Sequence, residues 1–422
     1  MKVMLITLPN EGEPKDYTTP AHYSIGKLKY IPLGILAVAS GIKGDHEIKL
    51  LDAASKFLSI EETIAQIREW EPDVLGMTSS IGTAYAMSCV LKRVEGPLKV
   101  VGGPFTTHYA QEVLTLGAHA VFIHDGDSNF SDWLDNGCPQ GIFEDYIPDL
   151  DKLPMPNLDL LDLTEYVIKP KESKKLLLKN LGLRFPMYSS KGCPFKCIFC
   201  DVQERRFRWK SPHRVVDEME LYLSKGSASV HIMDDCFNVQ KQRVLEICAE
   251  IKQRGLNFEW SARGRASIDR KTAETLRDAG CRRLHVGVET FDPEMMRFIN
   301  KKIDLNEIFN FFKTCREVGI ETLGYLIIGF PGETREYRQK LPELIREVGM
   351  DLPFFNVLYP LPNTTYYDML LESGVYKNDF WQEYSLNPVP DFEPELPRSP
   401  ELQHELLETV EGYVGQFYGK AA

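Results

Sequence analysis

Three cysteines stand close together in the run Cys193-Pro-Phe-Lys-Cys197-Ile-Phe-Cys200. They follow an apolar stretch, residues 186–190, that the sequence predicts to be a strand. Three thiolates on one loop can ligate three irons of a cubane cluster and leave the fourth iron open. An open iron can bind and cleave a cofactor, which a four-cysteine electron carrier cannot do. The spacing therefore predicts a [4Fe–4S] cluster held by Cys193, Cys197 and Cys200.

Two other interpretations of these cysteines are a structural zinc site and a set of buried thiols. Zinc in a structural site takes four ligands, so it needs a further Cys or His nearby. Residues 201–212 contain no second pair of cysteines. The motif and its context therefore favour the cluster.

The spacing Cys-x3-Cys-x2-Cys, with Phe199 before the last cysteine, resembles the signature of the radical S-adenosylmethionine (SAM) superfamily. The resemblance implies that the amino and carboxylate groups of SAM chelate the fourth iron, with Phe199 among the SAM contacts. It also implies reductive cleavage of SAM to a 5′-deoxyadenosyl radical. The electron would come from an external one-electron reductant of the flavodoxin or ferredoxin type.

The composition of the chain excludes several classes of protein. Its 422 residues suffice for two or three domains that each bury a core. A net charge of −12 argues against wide contact with nucleic acid, which requires lysine and arginine to neutralise phosphates. No stretch approaches the ~20 apolar residues that span a bilayer, so we expect no membrane span.

The cysteine usage indicates the compartment. Nine cysteines, an odd number with three clustered, fit a reducing cytosol better than a disulfide framework. The first residues of the chain are predicted to form a strand rather than a signal peptide. We therefore expect a cytoplasmic protein.

Residues 1–137 alternate between five β-rich runs and four helical patterns. The strands are predicted at 2–9, 46–53, 73–80, 98–104 and 120–127, and the helices at 31–44, 59–71, 82–96 and 108–117. Alternation of this kind predicts an open, doubly wound parallel sheet of the Rossmann-like type. Ligands of such sheets lie beyond the carboxyl ends of the strands.

Small and polar residues lie at the carboxyl ends of three of these strands. They are Thr78, Ser79 and Ser80 at the end of the third, Gly102 and Gly103 at the end of the fourth, and Asp125, Gly126 and Asp127 at the end of the fifth. Glycine lets backbone amides approach a bulky ligand, and hydroxyl groups can bond to its polar edges. Glycine after a strand is also ordinary turn chemistry, so these loops alone do not establish a site.

The order of these loops resembles the cobalamin-binding domain that precedes the barrel in one class of radical SAM enzymes. The matching segments are 31–34, 51–53, 72–76, 101–104 and the loop at Gly126. The resemblance implies that the eight loop residues named above contact cobalamin. The Asp-x-His-x-x-Gly signature is missing, because Asp45-His46 is followed by Lys49 in place of glycine. The lower axial ligand of cobalt therefore stays unassigned.

A Pro- and Asp-rich linker, 138–180, is predicted to precede a second set of alternations at 181–365. Six strands are predicted at 186–190, 229–235, 258–265, 283–290, 321–329 and 353–360. Six such units predict a partial (β/α)6 barrel with its site at the strand carboxyl ends. Residues 366–422 are predicted to form a C-terminal tail that ends in an amphipathic helix.

Polar residues at those strand ends are the candidate SAM contacts. They are Asp234, Asp235, Ser261, Arg263, Arg265, Glu289 and Gly329. Carboxylates suit the ammonium and ribose hydroxyls of SAM, and arginine suits its carboxylate. Any one of these charges can instead cap the next helix, and capping is the better account of Glu333, in a first helical turn.

Further strings, 279–289, 329–334 and 359–365, resemble the same radical SAM class. This resemblance implies a C-methyltransferase that moves a methyl group from SAM, via methylcobalamin, to an unactivated carbon. The substrate would be a small molecule or a peptide or protein side chain. Cyclisation, oxidation or rearrangement without net methyl transfer is an alternative that the same motifs allow. A sensor that binds a cluster and a corrinoid without turnover is a third, and an open iron beside strand-end polar groups favours catalysis over it.

Overall fold

The computed structural model describes residues 1–15, 29–168, 182–202 and 204–418. These residues form two compact units. The first comprises residues 1–15, 29–166 and 376–395, and the second comprises residues 167–168, 182–202, 204–375 and 396–418. Residues 169–180, the end of the predicted linker, and residue 181, the first of the predicted barrel, lie outside the described residues.

A six-stranded parallel sheet forms the centre of the first unit, in the order β2-β1-β3-β4-β5-β6. Its strands are β1 (Lys2–Thr7), β2 (Glu47–Asp52), β3 (Val74–Thr78), β4 (Leu98–Gly102), β5 (Ala120–His124) and β6 (Gly141–Asp145). The sequence predicts the first five, and the structure adds β6 within the predicted linker. This short edge strand has exposed or half-buried side chains, so it lacks the apolar run that marks the others.

Five helices pack on the two faces of this sheet. They are α1 (Leu33–Gly41), α2 (Ile60–Trp70), α3 (Ala84–Arg93), α4 (Pro104–Thr115) and α5 (Gly126–Asp135). Residues of α1 and α5, among them Ile35 and Trp133, share one core cluster with Leu5 of β1, so these two helices cover the same face. The sequence predicts only the first four helices, because α5 opens with Gly, Asp, Ser and Asn, residues that favour turns.

The second unit is built on a curled sheet in the order β15-β14-β13-β12-β11-β8-β7. The strands of this sheet are β7 (Val167–Ile168), β8 (Gly182–Met187), β11 (Ser229–Ile232), β12 (Glu259–Arg265), β13 (Cys281–Glu289), β14 (Glu321–Ile328) and β15 (Leu352–Val357). A separate hairpin, β9 (Ser190–Lys191) and β10 (Arg208–Trp209), follows β8 in the chain. Six strands run parallel, and only β7 pairs antiparallel, with β8. The predicted six-stranded partial barrel is confirmed.

Six helices alternate with these strands. They are α6 (Pro212–Ser224), α7 (Lys241–Gln253), α8 (Arg270–Asp278), α9 (Pro293–Phe298), α10 (Leu305–Val318) and α11 (Arg335–Val348). Five of them begin at a Ser, Asp or Thr whose side chain accepts a hydrogen bond from the first helical turn. These caps satisfy amide groups that the helix itself leaves without partners, which fixes where each helix starts.

The C-terminal tail contributes helices to both units. They are α12 (Thr365–Glu372), α13 (Phe380–Leu386) and α14 (Pro400–Tyr418). In the first unit, Gln382 of α13 donates a hydrogen bond to Glu112 of α4 at 2.7 Å. In the second unit, the hydroxyl of Tyr418 on α14 donates to the carbonyl of Pro353 on β15 at 2.6 Å. The tail predicted as one segment is therefore divided between the two units.

Each sheet presents the carboxyl ends of its parallel strands at one edge. In the first unit the strand order changes direction between β1 and β3, the position where open sheets of this type bind ligands. In the second unit the loops after β8 and β11 to β14 occupy the corresponding edge. Within the described part of the chain, no helix combines the length and apolarity that crossing a membrane requires.

Candidate functional site

The cysteine run forms a loop between the two strands of the β9–β10 hairpin, beyond the carboxyl end of β8. Ser190 pairs with Trp209 at the base of this hairpin. The amide of Cys193 donates a hydrogen bond to the carbonyl of Glu204 at 3.0 Å, which continues the pairing into the loop. The base of the cysteine loop is therefore closed by backbone hydrogen bonds.

Side chains from outside the run hold its backbone in place. The guanidinium of Arg205 donates to the carbonyls of Phe195 and Cys200, at 2.7 and 3.1 Å. The amide of Asn300 donates to the carbonyl of Lys196 at 2.7 Å. These bonds engage three carbonyl groups of the loop, so they fix its path without using a thiol.

The three thiols have different electrostatic surroundings. A hydrogen bond from Cys236 lowers the pKa of Cys193 to about 6. Burial raises the pKa of Cys197, and it raises the pKa of Cys200 to about 11. Iron binds thiolates, so a bound metal must displace a proton from the thiols of Cys197 and Cys200. Cys236 lies four residues after the end of β11, and the sequence gives it no role beyond filling the core.

A single metal ion needs several ligand side chains that converge on one point. Within residues 1–15, 29–168, 182–202 and 204–418, no three His, Cys, Asp or Glu side chains converge as ligands of one ion. A zinc site requires such convergence, whereas three cysteines that ligate separate irons of a cubane do not.

Asp234 is the most deeply buried of the candidate SAM contacts, with 0% exposure. Its carboxylate accepts four hydrogen bonds, from the amides and hydroxyls of Ser189 and Ser190, at 2.5 to 3.0 Å. Arg243 donates to the carbonyl and hydroxyl of the same Ser189, both at 2.7 Å. All lone-pair directions of the Asp234 carboxylate are thus engaged by the segment that leads into the cysteine loop.

Asp235 and Arg265 lie at the rim beside the cysteine loop. Asp235 is exposed, and its carboxylate accepts a hydrogen bond from the amide of Gly192 at 3.0 Å. The guanidinium of Arg265 lies 3.9 Å from the ring centre of Phe195, in the cysteine run, and donates to the carbonyl of Lys302 at 2.9 Å. A carboxylate and a guanidinium therefore flank the loop, as binding of an amino acid group requires.

Glu289 ends β13 in a left-handed backbone conformation, with φ of 68° at an irregularity in the strand register. Such a conformation is strained for a residue with a side chain. Its buried carboxylate pairs with the ammonium of Lys301 at 2.9 Å, and the two side chains are only 10% and 5% exposed. Both charges act on the Cys197 thiol, so the pair lies next to the cysteine loop.

Gly329 follows β14 with φ of 86°. Its amide donates to the carboxylate of Glu333 at 3.0 and 3.1 Å. A Cβ at this position would come within 2.9 Å of Arg398 and Leu406, so only glycine fits. The expectation that Glu333 caps a helix is wrong, because Thr334 caps α11 and the side chain of Glu333 turns back to the Gly329 loop.

Ser261, Arg263 and Phe199 complete the SAM candidates. The Ser261 hydroxyl lies 2.7 Å from Nδ1 of His231 on the neighbouring strand. Nε of Arg263 is buried and lacks a hydrogen-bond partner. Phe199 is half-buried within the cysteine run. Arg263 is therefore the one SAM candidate with a buried and unmatched polar atom.

At the carboxyl edge of the first sheet, the loops after β3 and β4 are bonded to each other. The amide of Ser79 donates to the carbonyl of Gly102 at 2.8 Å, and its own carbonyl accepts from Phe105 at 3.0 Å. A Cβ on Gly103, where φ is 100°, would lie 2.7 Å from the Ser79 carbonyl. Thr78 and Ser80 are half-buried at the same edge, and the amide of Ser80 donates to the hydroxyl of Thr83 at 3.0 Å.

The loop after β5 is also held by internal bonds. The buried carboxylate of Asp125 accepts from the amide of Ile147 at 2.9 Å. Gly126 and Asp127 form the first turn of α5. The eight cobalamin candidates therefore lie at one edge, and Ser79, Gly103 and Asp125 are used there to join neighbouring loops.

Two families match the chain. The radical SAM superfamily matches residues 187–345, and the B12 binding domain matches residues 26–133. The chain thus combines a B12-binding domain with a radical SAM domain. Both resemblances drawn from the sequence are confirmed.

Relatives of the chain are named for more than one activity. An uncharacterized methyltransferase of Pyrococcus horikoshii is 27% identical, in an alignment that covers 92% of this chain and 87% of that protein. An anaerobic magnesium-protoporphyrin IX monomethyl ester cyclase of Rubrivivax gelatinosus is 24% identical, over 78% of this chain and 64% of its own length.

A solved structure has the same fold. It is TsrM of Kitasatospora setae, described as a radical S-adenosylmethionine methyltransferase with cobalamin and a [4Fe–4S] cluster bound. It matches with a TM-score of 0.65 and 16% identity, covering 88% of this chain and 75% of the TsrM chain. The fold predicted from the sequence is therefore that of a known radical SAM protein.

Two residues of the radical SAM domain escaped the sequence-based prediction. Lys301 pairs with Glu289, and Cys236 contacts Cys193. Lys301 belongs to the turn after α9, where a lysine is ordinarily solvent-exposed, so its type carries no signal. Cys236 directly follows Asp234 and Asp235 in the sequence, and this position is the signal that could have placed it near the site.

Proposed function

We propose that the protein is a cobalamin-dependent radical SAM C-methyltransferase that acts on an unactivated carbon. The observation that carries the proposal is a three-cysteine loop at the carboxyl edge of a six-stranded half-barrel, in a chain that also has a B12-binding domain. When bound, a [4Fe–4S] cluster, SAM and cobalamin would supply one-electron reduction, a carbon-centred radical and a transferable methyl group.

In this proposal Cys193, Cys197 and Cys200 hold the cluster, and the neighbouring charges orient SAM. Asp235 suits the ammonium of the methionyl group, and Arg265 suits its carboxylate, because both flank the cysteine loop. Phe199, Ser261, Glu289 and Gly329 stay SAM candidates, whereas Arg263 lies on β12 two residues before Arg265, farther from the cysteine loop. We assign Asp234 to positioning the loop, since its carboxylate is already fully bonded.

Glu289 and Lys301 would contribute a preorganised ion pair beside the cluster. The strained backbone at Glu289 fixes the carboxylate, and the buried ammonium of Lys301 holds it at 2.9 Å. A fixed carboxylate with further lone pairs can accept a hydroxyl of the SAM ribose while it remains paired.

Cobalamin would lie at the carboxyl edge of the first sheet. Thr78 and Ser80 can offer hydroxyl groups, and Gly102, Gly126 and the backbone of the neighbouring loops allow close approach. Ser79, Gly103, Asp125 and Asp127 would shape these loops. The switch of strand direction between β1 and β3 supports this position.

The substrate, the reductant and the cellular location are proposed from the chemistry of the reaction and of the cysteines. We propose a substrate that is a small molecule or a peptide or protein side chain, and a flavodoxin- or ferredoxin-type reductant that feeds the cluster. All nine cysteines are free thiols, which supports a reducing, cytoplasmic location.

Radical rearrangement without net methyl transfer is the second candidate. The observation that favours it is the similarity to a magnesium-protoporphyrin ester cyclase over 78% of this chain. Cyclisation would use the same cluster and SAM residues and differ in the fate of the SAM methyl group.

Anaerobic purification with added hydroxocobalamin tests the proposal. We expect about four irons and matching sulfide per chain, together with stoichiometric corrinoid. Incubation with methyl-labelled SAM and a chemical reductant should produce 5′-deoxyadenosine and place label on the corrinoid. A chain that carries the irons and refuses corrinoid would remove methyl transfer and leave radical chemistry. Corrinoid that stays unlabelled while 5′-deoxyadenosine forms would favour rearrangement.

A further inference from the structure

A set of five polar residues lies on the inner face of the half-barrel, deeper than the cysteine loop. This set, here called the lumen cluster, consists of His231 on β11, Ser261 and Arg263 on β12, His285 on β13 and Tyr325 on β14. Alternate residues of the same strands, such as Ala262 and Val286, are apolar and buried, so the polar residues share the opposite face.

The members of the lumen cluster touch one another. Arg263 and His285 are paired across β12 and β13. Nδ1 of His285 lies 3.4 Å from the hydroxyl of Tyr325, and the rings of His231 and His285 are 4.7 Å apart. The charge of Arg263 acts on the hydroxyl of Tyr325. Four strands therefore contribute to one polar group.

The hydrogen bonds of this cluster leave two donors without acceptors. The hydroxyl of Tyr325 can donate its proton to Nδ1 of His285. The imidazole then carries its proton on Nε2, and burial keeps it neutral by lowering its pKa to about 3. Nε2 of His285 and Nε of Arg263 are both buried without a hydrogen-bond partner. Buried donors of this kind are costly unless an acceptor reaches them.

The charge balance of the same region favours an anionic acceptor. Arg283 is paired with Glu321 at 2.5 Å, and Glu289 is paired with Lys301. Arg263 makes no ion pair among the described residues, and its charge acts on the exposed carboxylate of Asp235 at the rim. An oxyanion in the lumen would meet one guanidinium and one neutral N–H donor, which suits a carboxylate.

We propose that Arg263 and His285 form a carboxylate-binding pocket inside the half-barrel, and that the substrate supplies the carboxylate. The carboxylate of SAM is needed at the cysteine loop, where Arg265 lies against Phe195. Arg263 stands two residues earlier on the same strand, about 6.6 Å deeper. The proposal rests on the proposed function only in assuming a methyl-accepting substrate, and it adds that this substrate carries a carboxylate near its reactive carbon.

Acetate binding to the cluster-loaded protein tests the pocket without knowledge of the substrate. Histidines are labelled with 13C at Cε1, and the His285 signal is assigned with His285→Gln. Potassium acetate, against potassium chloride at equal ionic strength, should shift that signal in a saturable way, with SAM present or absent. Arg263→Gln should weaken acetate binding about tenfold or more, and Arg263→Lys should restore part of it. Arg282→Gln, an exposed neighbour on β13, is the matched control and should change nothing.

A second variant keeps the test decisive if Arg263→Gln unfolds. Tyr325→Phe removes the proton that Nδ1 of His285 accepts, so we expect the tautomer to change and acetate binding to weaken. Nitrogen chemical shifts of His285 report the tautomer directly. A shift that does not saturate, or that survives Arg263→Gln, would overturn the proposal. So would displacement of acetate by SAM, which would assign the carboxylate to SAM. Corrinoid binding and label transfer are unaffected by these outcomes, so failure of the proposed function would be seen separately.

Discussion

The two carboxyl edges of this protein use polar residues in opposite ways. At the edge of the first sheet, Ser79 and Asp125 are bonded to neighbouring loops, and Gly103 allows those loops to approach. At the edge and on the inner face of the second sheet, Glu289 is strained and Arg263 keeps an unmatched donor. Strain and unmatched donors cost stability and persist where they serve a ligand. Polar residues at the first edge thus fix the shape of the loops, whereas those of the second sheet keep groups available to a ligand.

The largest difference between the edges should appear when the thiols are removed. Replacing Cys193, Cys197 and Cys200 together with alanine should abolish iron binding, because these are the only thiols of the cysteine run. Iron and sulfide analysis and the visible absorbance of the reconstituted protein measure the effect. Cys248→Ala, at a buried core cysteine, is the control and should keep its iron. Iron retained by the triple variant would refute the ligand assignment.

Breaking the ion pair beside the cysteine loop should have the next largest effect. Glu289→Gln leaves the buried ammonium of Lys301 uncompensated, which should lower the free energy of unfolding by about 3–5 kcal/mol. Adding Lys301→Met should recover much of that loss, because no charge is then left buried. Denaturant unfolding of the two variants measures both values. A double variant no more stable than Glu289→Gln would show that the pair does not account for the loss.

Two adjacent aspartates allow a matched test of positioning against binding. Asp234→Asn replaces a carboxylate oxygen with an NH2 group, which cannot accept the hydrogen bonds that Ser189 and Ser190 donate. We therefore expect the free energy of unfolding to fall by about 1–3 kcal/mol. Asp235→Asn should leave stability within about 0.5 kcal/mol, because the residue is exposed. It should instead weaken SAM binding about tenfold, through loss of one charge-assisted bond. Equilibrium dialysis with SAM and thermal unfolding separate these effects, and reversed results would exchange the two roles.

The first edge can be tested through its glycine. Gly103→Ala should destabilise the protein by about 1–3 kcal/mol, because the added Cβ meets the Ser79 carbonyl at a left-handed position. Gly96→Ala has a similar backbone conformation, with φ of 106°, and no atom near the added Cβ, so it measures the conformational cost alone. Corrinoid binding should fall in the first variant and stay unchanged in the second. Equal effects would mean that loop packing does not shape the corrinoid site.

The buried histidines should make stability depend on pH. The pKa of His285 falls from its usual 6.5 to about 3, mainly through burial, so the unfolded chain binds a proton in this interval and the folded chain does not. Stability should therefore fall as pH is lowered from 6.5 towards 3, by about 1.4 kcal/mol per pH unit for this residue. Urea unfolding at pH 7, 6 and 5 should show a shallower slope in His285→Gln. Identical slopes would assign the dependence to other groups, such as His231.

Much of the fold is predictable from the sequence, because buried parallel strands appear as apolar runs and helices as periodic patterns. The strands missed or shortened by the prediction are those without such runs, β6 above all. The cysteine triplet is predictable because its spacing itself is the signal. The roles of Asp234 and Asp235 are not, since these adjacent residues of one type differ only in the direction that the backbone after β11 gives their side chains. The Glu289–Lys301 pair joins residues twelve apart, and no local pattern reports such a contact.

The return of residues 376–395 to the first unit has a consequence for how the chain is made. Trp381 and Tyr384 are 1% and 2% exposed, and Phe392 stacks on Tyr384 with ring centres 4.5 Å apart. During synthesis, residues 1–166 leave the ribosome before these aromatic residues have been made. The first unit can therefore complete its core only after residues 376–395 have been synthesised. A fragment that ends at residue 166 would expose the surface that Trp381, Tyr384 and Phe392 cover. Expression of the first unit by itself therefore requires that residues 376–395 be fused to it.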